Sequence, residues 1–435
     1  MKLHGSMEIK GQDLYVGGVS LEALAETYGT PLYVFDEADL VSRARIFLDN
    51  FRSDRFATQV YYASKSFSNL YVLGLITKLG LSVDVVSGGE LYTAIQAGLD
   101  PAKLNFHGNN KLESELLLAL DEAVGHITID NWAEYDLLSK LARERQQKVK
   151  VLVRVNPGIE AKTHKYIQTS KEDSKFGLST ADPACLQLLK TLADDPWLEL
   201  EGLHSHIGSQ VLDPGFFFAG AEALMAYLRQ IKDQAGLSLT ELNLGGGFGV
   251  YYTAEDKPFD LAGFLKDYVK RVEDLDEHYA IGLKKLSIEP GRSLINDSGS
   301  ILYRVGGIKE TRQGKPFIFV DGGMTDNIRP ALYQAKYEVA LANKMNQPVA
   351  MEYRVAGKCC ETGDILVESA PLPKADRGDL LVIPAAGAYT YAMSSNYNRL
   401  PKGAVVFVKE GKARLAVRRE DYQDLLRNDL AYPGQ

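Results

Sequence analysis

Gln59-Val-Tyr-Tyr-Ala-Ser-Lys65-Ser-Phe67 reads as a strand that runs straight into a lysine. Val60, Tyr61, Tyr62 and Ala63 suit a buried strand. A lysine just past such a strand has a fixed stem and a head that points into a cleft. That is the placement a Schiff-base lysine needs, with surroundings that free a neutral amine. Taken alone, a strand-end lysine is most often simply solvated. The weight of Lys65 therefore rests on what the rest of the chain brings to it.

Outward from that stretch the chain repeats itself. Apolar, β-rich runs at 59–63, 82–86, 103–106, 126–129, 148–155, 198–206, 241–244 and 285–288 alternate with helix-patterned stretches such as 68–79, 90–97, 113–122 and 132–145. Eight strands, each followed by a helical segment, predict a parallel sheet closed into a (β/α)8 barrel spanning residues 38–290. Past that point short β-like runs at 301–305, 316–320, 353–355, 365–368, 380–383 and 404–408 predict an all-β domain, sandwich- or barrel-like, over 291–435. Residues 1–37 are expected to join it through the strand Thr30–Phe35, and one helix is expected over 329–343.

Composition bounds the function. A chain of 435 residues exceeds what one core organises, which fits two domains. A net charge of −8 provides no basic excess to neutralise phosphates, so nucleic acid is not an expected partner. No apolar run reaches membrane-spanning length. The three cysteines, Cys185 and the adjacent pair Cys359-Cys360, form neither a disulfide framework nor a zinc spacing. These features predict a cytoplasmic protein with no metal site.

In such a barrel the working residues gather at the C-terminal ends of the strands. Lys65 follows strand one, and Asp84 with Ser87-Gly-Gly-Glu90 ends strand two. His107-Gly-Asn-Asn110, Arg154 with Asn156, His204-Ser-His206-Ile-Gly-Ser209, Gly245-Gly246-Gly247 and Glu289-Pro290-Gly291-Arg292 end strands three, five, six, seven and eight. Seven of eight strand ends thus carry polar or glycine-rich clusters, a register harder to dismiss than any one motif. The three glycines can expose backbone amides to an anion, and Ser209 and Arg292 can add a hydroxyl and a charge. They are not a dinucleotide fingerprint, because the spacing is wrong. If a pyridine ring lies over the barrel mouth, a carboxylate at Glu289 keeps its nitrogen protonated and His206 can stack on its face. A surface salt bridge for Glu289 and a core hydrogen bond for either histidine remain open at this stage.

In the β-domain, Arg329-Pro-Ala-Leu-Tyr333 brings an arginine and a phenol together, a common way to hold a carboxylate. Gly357-Lys-Cys-Cys360-Glu361-Thr-Gly-Asp364 places a thiol and a carboxylate on a loop, and Gly387-Ala-Tyr389 places a phenol on a turn.

These segments, with Asp173-Ser-Lys-Phe-Gly177 and Asp321-Gly-Gly-Met324, resemble the fold-type III pyridoxal-phosphate decarboxylases, and within them the diaminopimelate decarboxylases, in order along nearly the whole chain. The resemblance implies an alanine racemase/ornithine decarboxylase-like fold and pyridoxal 5'-phosphate as cofactor. It implies that Lys65 holds the cofactor covalently, that His206 stacks on its ring, and that Glu289 pairs with its nitrogen. Asp84, Ser209, Gly245, Gly246, Gly247, Pro290, Gly291, Arg292 and Tyr389 would complete the cofactor site. Arg292, Arg329, Tyr333, Glu361 and Tyr389 would face the substrate, meso-2,6-diaminopimelate, which is decarboxylated at its D-configured centre to L-lysine. Cys360 would be the proton donor and, with Glu361, would come from the partner chain of a homodimer. Thr362 stands where serine is more usual after Cys-Glu, and it keeps the hydroxyl. Three alternatives stay open here: a decarboxylase for another carboxylated amino acid, a racemase, and a non-catalytic paralogue. Arg329 and Glu361 weigh against the first, Glu289 against the second, and Lys65 with Cys360 against the third.

Overall fold

The computed structural model describes residues 1–158 and 174–433. The chain groups into two compact units. One is Arg43–Val250 with Lys257–Leu294; the other is Met1–Ser42 with Tyr251–Asp256 and Ile295–Gln435.

The first of these is a closed parallel barrel. Its strands are β1 Ala57–Ala63, β2 Ser82–Val85, β3 Leu104–Phe106, β4 His126–Ile129, β5 Val149–Asn156, β6 Leu198–His204, β7 Glu241–Asn243 and β8 Lys285–Ile288. Each pairs in parallel with the next, and β8 returns to β1 with Lys285 opposite Ala57. Closure leaves no unpaired edge. The strands are buried on both faces, so they read as apolar runs rather than alternating ones: all of β2, β3 and β4 and the last four residues of β1 are buried. Strong caps start the helices that follow. Asn69, Ser87 and Asn131 each accept from the backbone N–H three residues on, which fixes where the strand-end loops stop. The expected helix after the eighth strand is only Arg292–Ile295, because the chain turns there and enters the long strand Gly299–Lys309.

The other unit is built around Leu32–Asp36, every residue of which is buried. That strand pairs in parallel with Ala404–Lys409 and antiparallel with Gly299–Lys309. The sheet continues through Phe317–Val320, Met351–Ala356 and Ile365–Leu372 on one side and Lys412–Val417 on the other. Leu14, Leu24, Leu32, Val34, Leu302, Val382 and Val406 share its core. The helix expected over 329–343 is only Arg329–Tyr333. Gln334 takes the left-handed conformation with φ of 55°, which ends it, and the chain is extended again at Ala340–Leu341. The sequence reading also passed over Lys412–Val417, whose half-exposed, charged residues lack an apolar run.

Candidate active site

Lys65 occupies a single 3-10 turn, Ser64–Ser66, directly after β1. Its neighbours are pinned: Ser64 Oγ donates to Glu90 Oε2 at 2.6 Å, and Ser66 Oγ donates to the Ala63 carbonyl at 2.8 Å. The same Glu90 oxygen accepts from the Val86 N–H at 2.9 Å, which ties the turn to the end of β2. Ser64 and Ser66 are buried while Lys65 is exposed between them. The lysine therefore has a rigid stem and a head outside the core.

Glu289 is no surface salt bridge. It is 6% exposed and surrounded by donors from three other strand ends. His204 Nε2 lies 3.0 Å from Oε2, Asn243 Nδ2 donates to Oε1 at 2.7 Å, and His107 Nε2 is 2.8 Å from the same Oε1. Burial alone would raise its pKa, but His107 and His204 overcome that and hold the carboxyl well below its usual range. Burial pushes His204 down to about 4, so it faces Glu289 as a neutral imidazole near neutral pH. Asp84, 3.9 Å from His107 Nε2, is pushed up to about 6 chiefly by burial; His107 and Lys65 oppose the rise.

The glycine turn is shaped by its neighbours. A Cβ on Gly245 would sit 2.4 Å from the Ser205 carbonyl oxygen, one on Gly246 2.1 Å from that of Glu289, and one on Gly247 2.2 Å from that of Gly208. Gly245 and Gly247 also have φ of 66° and 108°, which side chains rarely adopt. The Gly246 N–H donates to His206 Nδ1 at 3.2 Å, so that nitrogen carries no proton. Burial, with Lys65 and Arg154 nearby, keeps the His206 pKa well below its usual value, consistent with a neutral, flat ring. Arg292 Nη2 donates to Ser209 Oγ at 3.2 Å, which brings the expected charge and hydroxyl together. Pro290 and Gly291 join the end of β8 to β1: Ala63 N–H donates to the Pro290 carbonyl at 3.1 Å, and a Cβ on Gly291 would come within 3.0 Å of Ala63 Cβ. Arg154 lies over the Phe176 ring at 4.4 Å. Of the Asp173–Gly177 motif, Asp173 lies outside the described residues.

In the β-unit, Arg329 is 6% exposed. Its Nη1 donates to Tyr252 Oη at 3.0 Å and to Tyr337 Oη, and both rings lie against the guanidinium at 4.9 and 5.6 Å. Tyr333 ends the same helix. Cys359 is buried and Cys360 exposed. Cys360 N–H donates to Asn398 Oδ1 at 2.7 Å, and Glu361 is exposed beside it. The loop is fastened by Asp364, which accepts from Cys359 N–H at 2.8 Å and from Met324 N–H at 2.6 Å. A Cβ on Gly323 or Gly357 would overlap that carboxylate, at 2.4 and 2.2 Å. Tyr389 is half-buried at a φ of 59°.

Residues 37–296 match the family model for the pyridoxal-binding domain of pyridoxal-dependent decarboxylases. The diaminopimelate decarboxylase of Bacillus subtilis is 44% identical over 433 residues, 99% of either chain. This chain belongs to the diaminopimelate decarboxylase family. The diaminopimelate decarboxylase of Halalkalibacterium halodurans is likewise 44% identical, over 99% of this chain and 98% of its own. A crystal structure of the diaminopimelate decarboxylase of M. jannaschii in complex with L-lysine superposes with a TM-score of 0.91 at 30% identity, covering 99% of both chains.

Sequence reasoning missed four partners. His107 reads as a strand-end residue but not as a neighbour of Glu289, and nothing in the local sequence singles out Asn243, Tyr252 or Tyr337. Period-two counting places Asn243 on the same strand end as the glycine turn. No local pattern ties Tyr252 to Arg329, which lies 77 positions further on.

Proposed function

We propose that the protein is a pyridoxal-phosphate-dependent decarboxylase that converts meso-2,6-diaminopimelate to L-lysine and carbon dioxide. The observation that carries the reading is Glu289, a buried carboxylate held as an anion among His107, His204 and the Asn243 amide, beside a glycine turn and a strand-end lysine. These residues fit the cofactor: the glycine turn packs against neighbouring carbonyls where no Cβ would fit, and Ser209 and Arg292 stand together. Pyridoxal phosphate, when bound, supplies an electron sink for the pair left behind as carbon dioxide departs.

The chain's own residues do the rest. Lys65 would hold the cofactor through its amine. Glu289 would hold a proton at the ring nitrogen, and neutral His206 would pack on the ring without competing for that proton. Ser209, Arg292 and the amides of Gly245–Gly247 hold the phosphate. Arg329, Tyr333 and Glu361 bind the distal carboxylate and amine, which a simple diamine precursor lacks in that combination. Tyr389 borders both cofactor and substrate, and Cys360 delivers a proton to the α-carbon.

The proposal extends to a homodimer in which Cys360 and Glu361 serve the barrel of the partner copy. The barrel unit leaves Leu70, Tyr92 and Leu112 more than half exposed, the kind of apolar surface a second chain covers. A reducing, cytoplasmic setting belongs to the same reading, because the proton donor is a free thiol. Among the described residues no helix is long and apolar enough to cross a membrane.

Purified protein given meso-diaminopimelate and pyridoxal phosphate is expected to release L-lysine and carbon dioxide. Turnover of a different carboxylated diamine with no lysine formed would sink the substrate assignment. Mixing Lys65→Ala and Cys360→Ala proteins, each inactive alone, is expected to restore activity. A mixture that stays inactive while exchanging subunits would sink the shared site.

A further inference from the structure

Among the described residues, three side chains meet Glu289, and two of them are hydrogen-bonded to it. Oε1 is approached by Asn243 Nδ2 at 2.7 Å and His107 Nε2 at 2.8 Å. Oε2 meets only His204 Nε2, at 3.0 Å. Asn243 and His204 each place one hydrogen bond on a different carboxylate oxygen, while His107 Nε2 lies close to Oε1 without a hydrogen-bonding geometry, so Oε2 keeps an acceptor position. The His204 tautomer is set by its surroundings. Its Nδ1 is buried with no partner among the described residues, so a proton there would be an unpaired N–H in the core, and the proton sits on Nε2.

Asn243 does more than donate. Its Oδ1 accepts from the Gly245 N–H at 3.0 Å, and the Gly245 carbonyl in turn accepts from the Glu289 N–H at 2.8 Å. The side chain is fully buried. Its amide orientation is forced: turned over, the NH2 would face the Gly245 N–H and the carbonyl would face a carboxylate. Among common side chains of this size only asparagine offers a donor to one neighbour and an acceptor to the other. Alanine would leave both unmet, and aspartate would set a second carboxylate against the first.

We propose that Asn243 is a positioning residue that couples the two ends of the cofactor site. One planar amide holds the ring-nitrogen carboxylate, Glu289, by its N–H and the anion-binding glycine turn by its carbonyl. The proposal rests on the cofactor reading above. It adds that the turn and the carboxylate are set together before any cofactor arrives, with the open position on Glu289 Oε2.

The test uses cofactor-free protein carrying 13C at the glutamate carboxyl carbons, with Glu289→Gln to assign the Glu289 signal. In the unaltered protein that signal is expected to stay in the ionised position from pH 5 to pH 8. Asn243→Ala removes both contacts, so Glu289 should take up a proton within that range and inorganic phosphate should bind about tenfold more weakly. Asn243→Asp keeps the acceptor for Gly245. Its phosphate affinity should remain within about threefold of the unaltered protein, while Glu289 shares a proton with the new carboxylate 2.7 Å away. Pyridoxal phosphate should bind at least about tenfold more weakly to both. A merely structural role would lower both affinities alike in both variants, and that result overturns the coupling. So does a Glu289 signal unmoved in either. If Asn243→Ala does not fold, the aspartate variant decides alone by the same two readings. If the unaltered protein fails to bind pyridoxal phosphate, it is the cofactor reading that falls.

Discussion

Two clusters in the barrel unit use the same residue types, yet burial and partners shift His204 in one and His126 in the other in opposite directions. One lies at the C-terminal ends of the strands, where Glu289 and Asp84 meet His107 and His204. The other lies toward the opposite ends, where His126 opens β4, Glu241 opens β7 and Glu201 sits in β6. In this second cluster His126 Nε2 is 2.5 Å from Glu201 and 3.4 Å from Glu241, while Lys150 and Lys285 reach the same two carboxylates at 2.6 and 2.8 Å. Every acid there has a lysine. Burial works against charge on His126, yet the bonds to Glu201 and Glu241 outweigh it and raise its pKa. His126 in turn leads in holding Glu201 down to about 2. In the first cluster Glu289 is hydrogen-bonded to the Asn243 amide and to His204, which is neutral. A full set of cations makes a closed, stabilising cluster. An amide and a neutral imidazole leave Glu289 an anion that can still accept one more proton donor, and that difference separates the two ends of the barrel.

The sharpest way to break that contrast is at the working end. Lys65→Ala is expected to lose activity by on the order of ten-thousand-fold and to abolish the near-visible absorbance of the holoenzyme. A variant that keeps the band would remove Lys65 from its role. Glu289→Gln keeps the shape but not the charge, and kcat should fall by about 100- to 1000-fold. Iodoacetamide gives a related separation. It should label Cys360, which is exposed, and inactivate the enzyme, while buried Cys185 and Cys359, both pushed up to about 11 by burial, stay unlabelled by peptide mass.

The same contrast shows what was legible in the chain. The eight strands were readable as local apolar runs, and seven of them run into a polar or glycine cluster. Lys65, Glu289, Ser209 with Arg292 and the glycine turn all come from that register. The acceptor state of Glu289 was not readable, since its donors arrive from β3, β6 and β7, at positions 107, 204 and 243. The other cluster left no trace at all. His126, Glu201, Glu241 and Lys285 each look like a charged residue in or beside a strand, and only barrel closure brings them together. The stop at Tyr333 was hidden for another reason: Gln334 adopts a left-handed conformation that its residue type does not announce.

The stabilising end is probed by Glu241→Gln. The kcat/KM of folded protein should stay within about twofold, since among the described residues Glu241 is paired with His126 and Lys285, while stability falls by about 1–3 kcal/mol in urea unfolding as those two lose a charged partner. Loss of activity without loss of stability would erase the distinction between the ends.

The smallest effect is in pH, and there the two ends should pull in opposite directions. His126 has a folded pKa raised above its unfolded value, so its contribution is complete below about pH 6.5 and fades as pH rises through the folded value. Glu201, held down to about 2, contributes fully above its unfolded value and loses that contribution only in strong acid. His204 runs the other way. Its folded pKa of about 4 lies below the unfolded one, so its contribution is complete above about pH 6.5 and is lost as the solution is acidified toward 4. The stability difference between the unaltered protein and His126→Gln should therefore shrink from pH 6 to pH 9, while the difference for His204→Gln should shrink from pH 7 to pH 5. Urea titrations at four pH values read both slopes. If the two differences share a sign of slope, the imidazoles at the two ends carry the same charge, and the division between a closed cluster and an open one fails at its root.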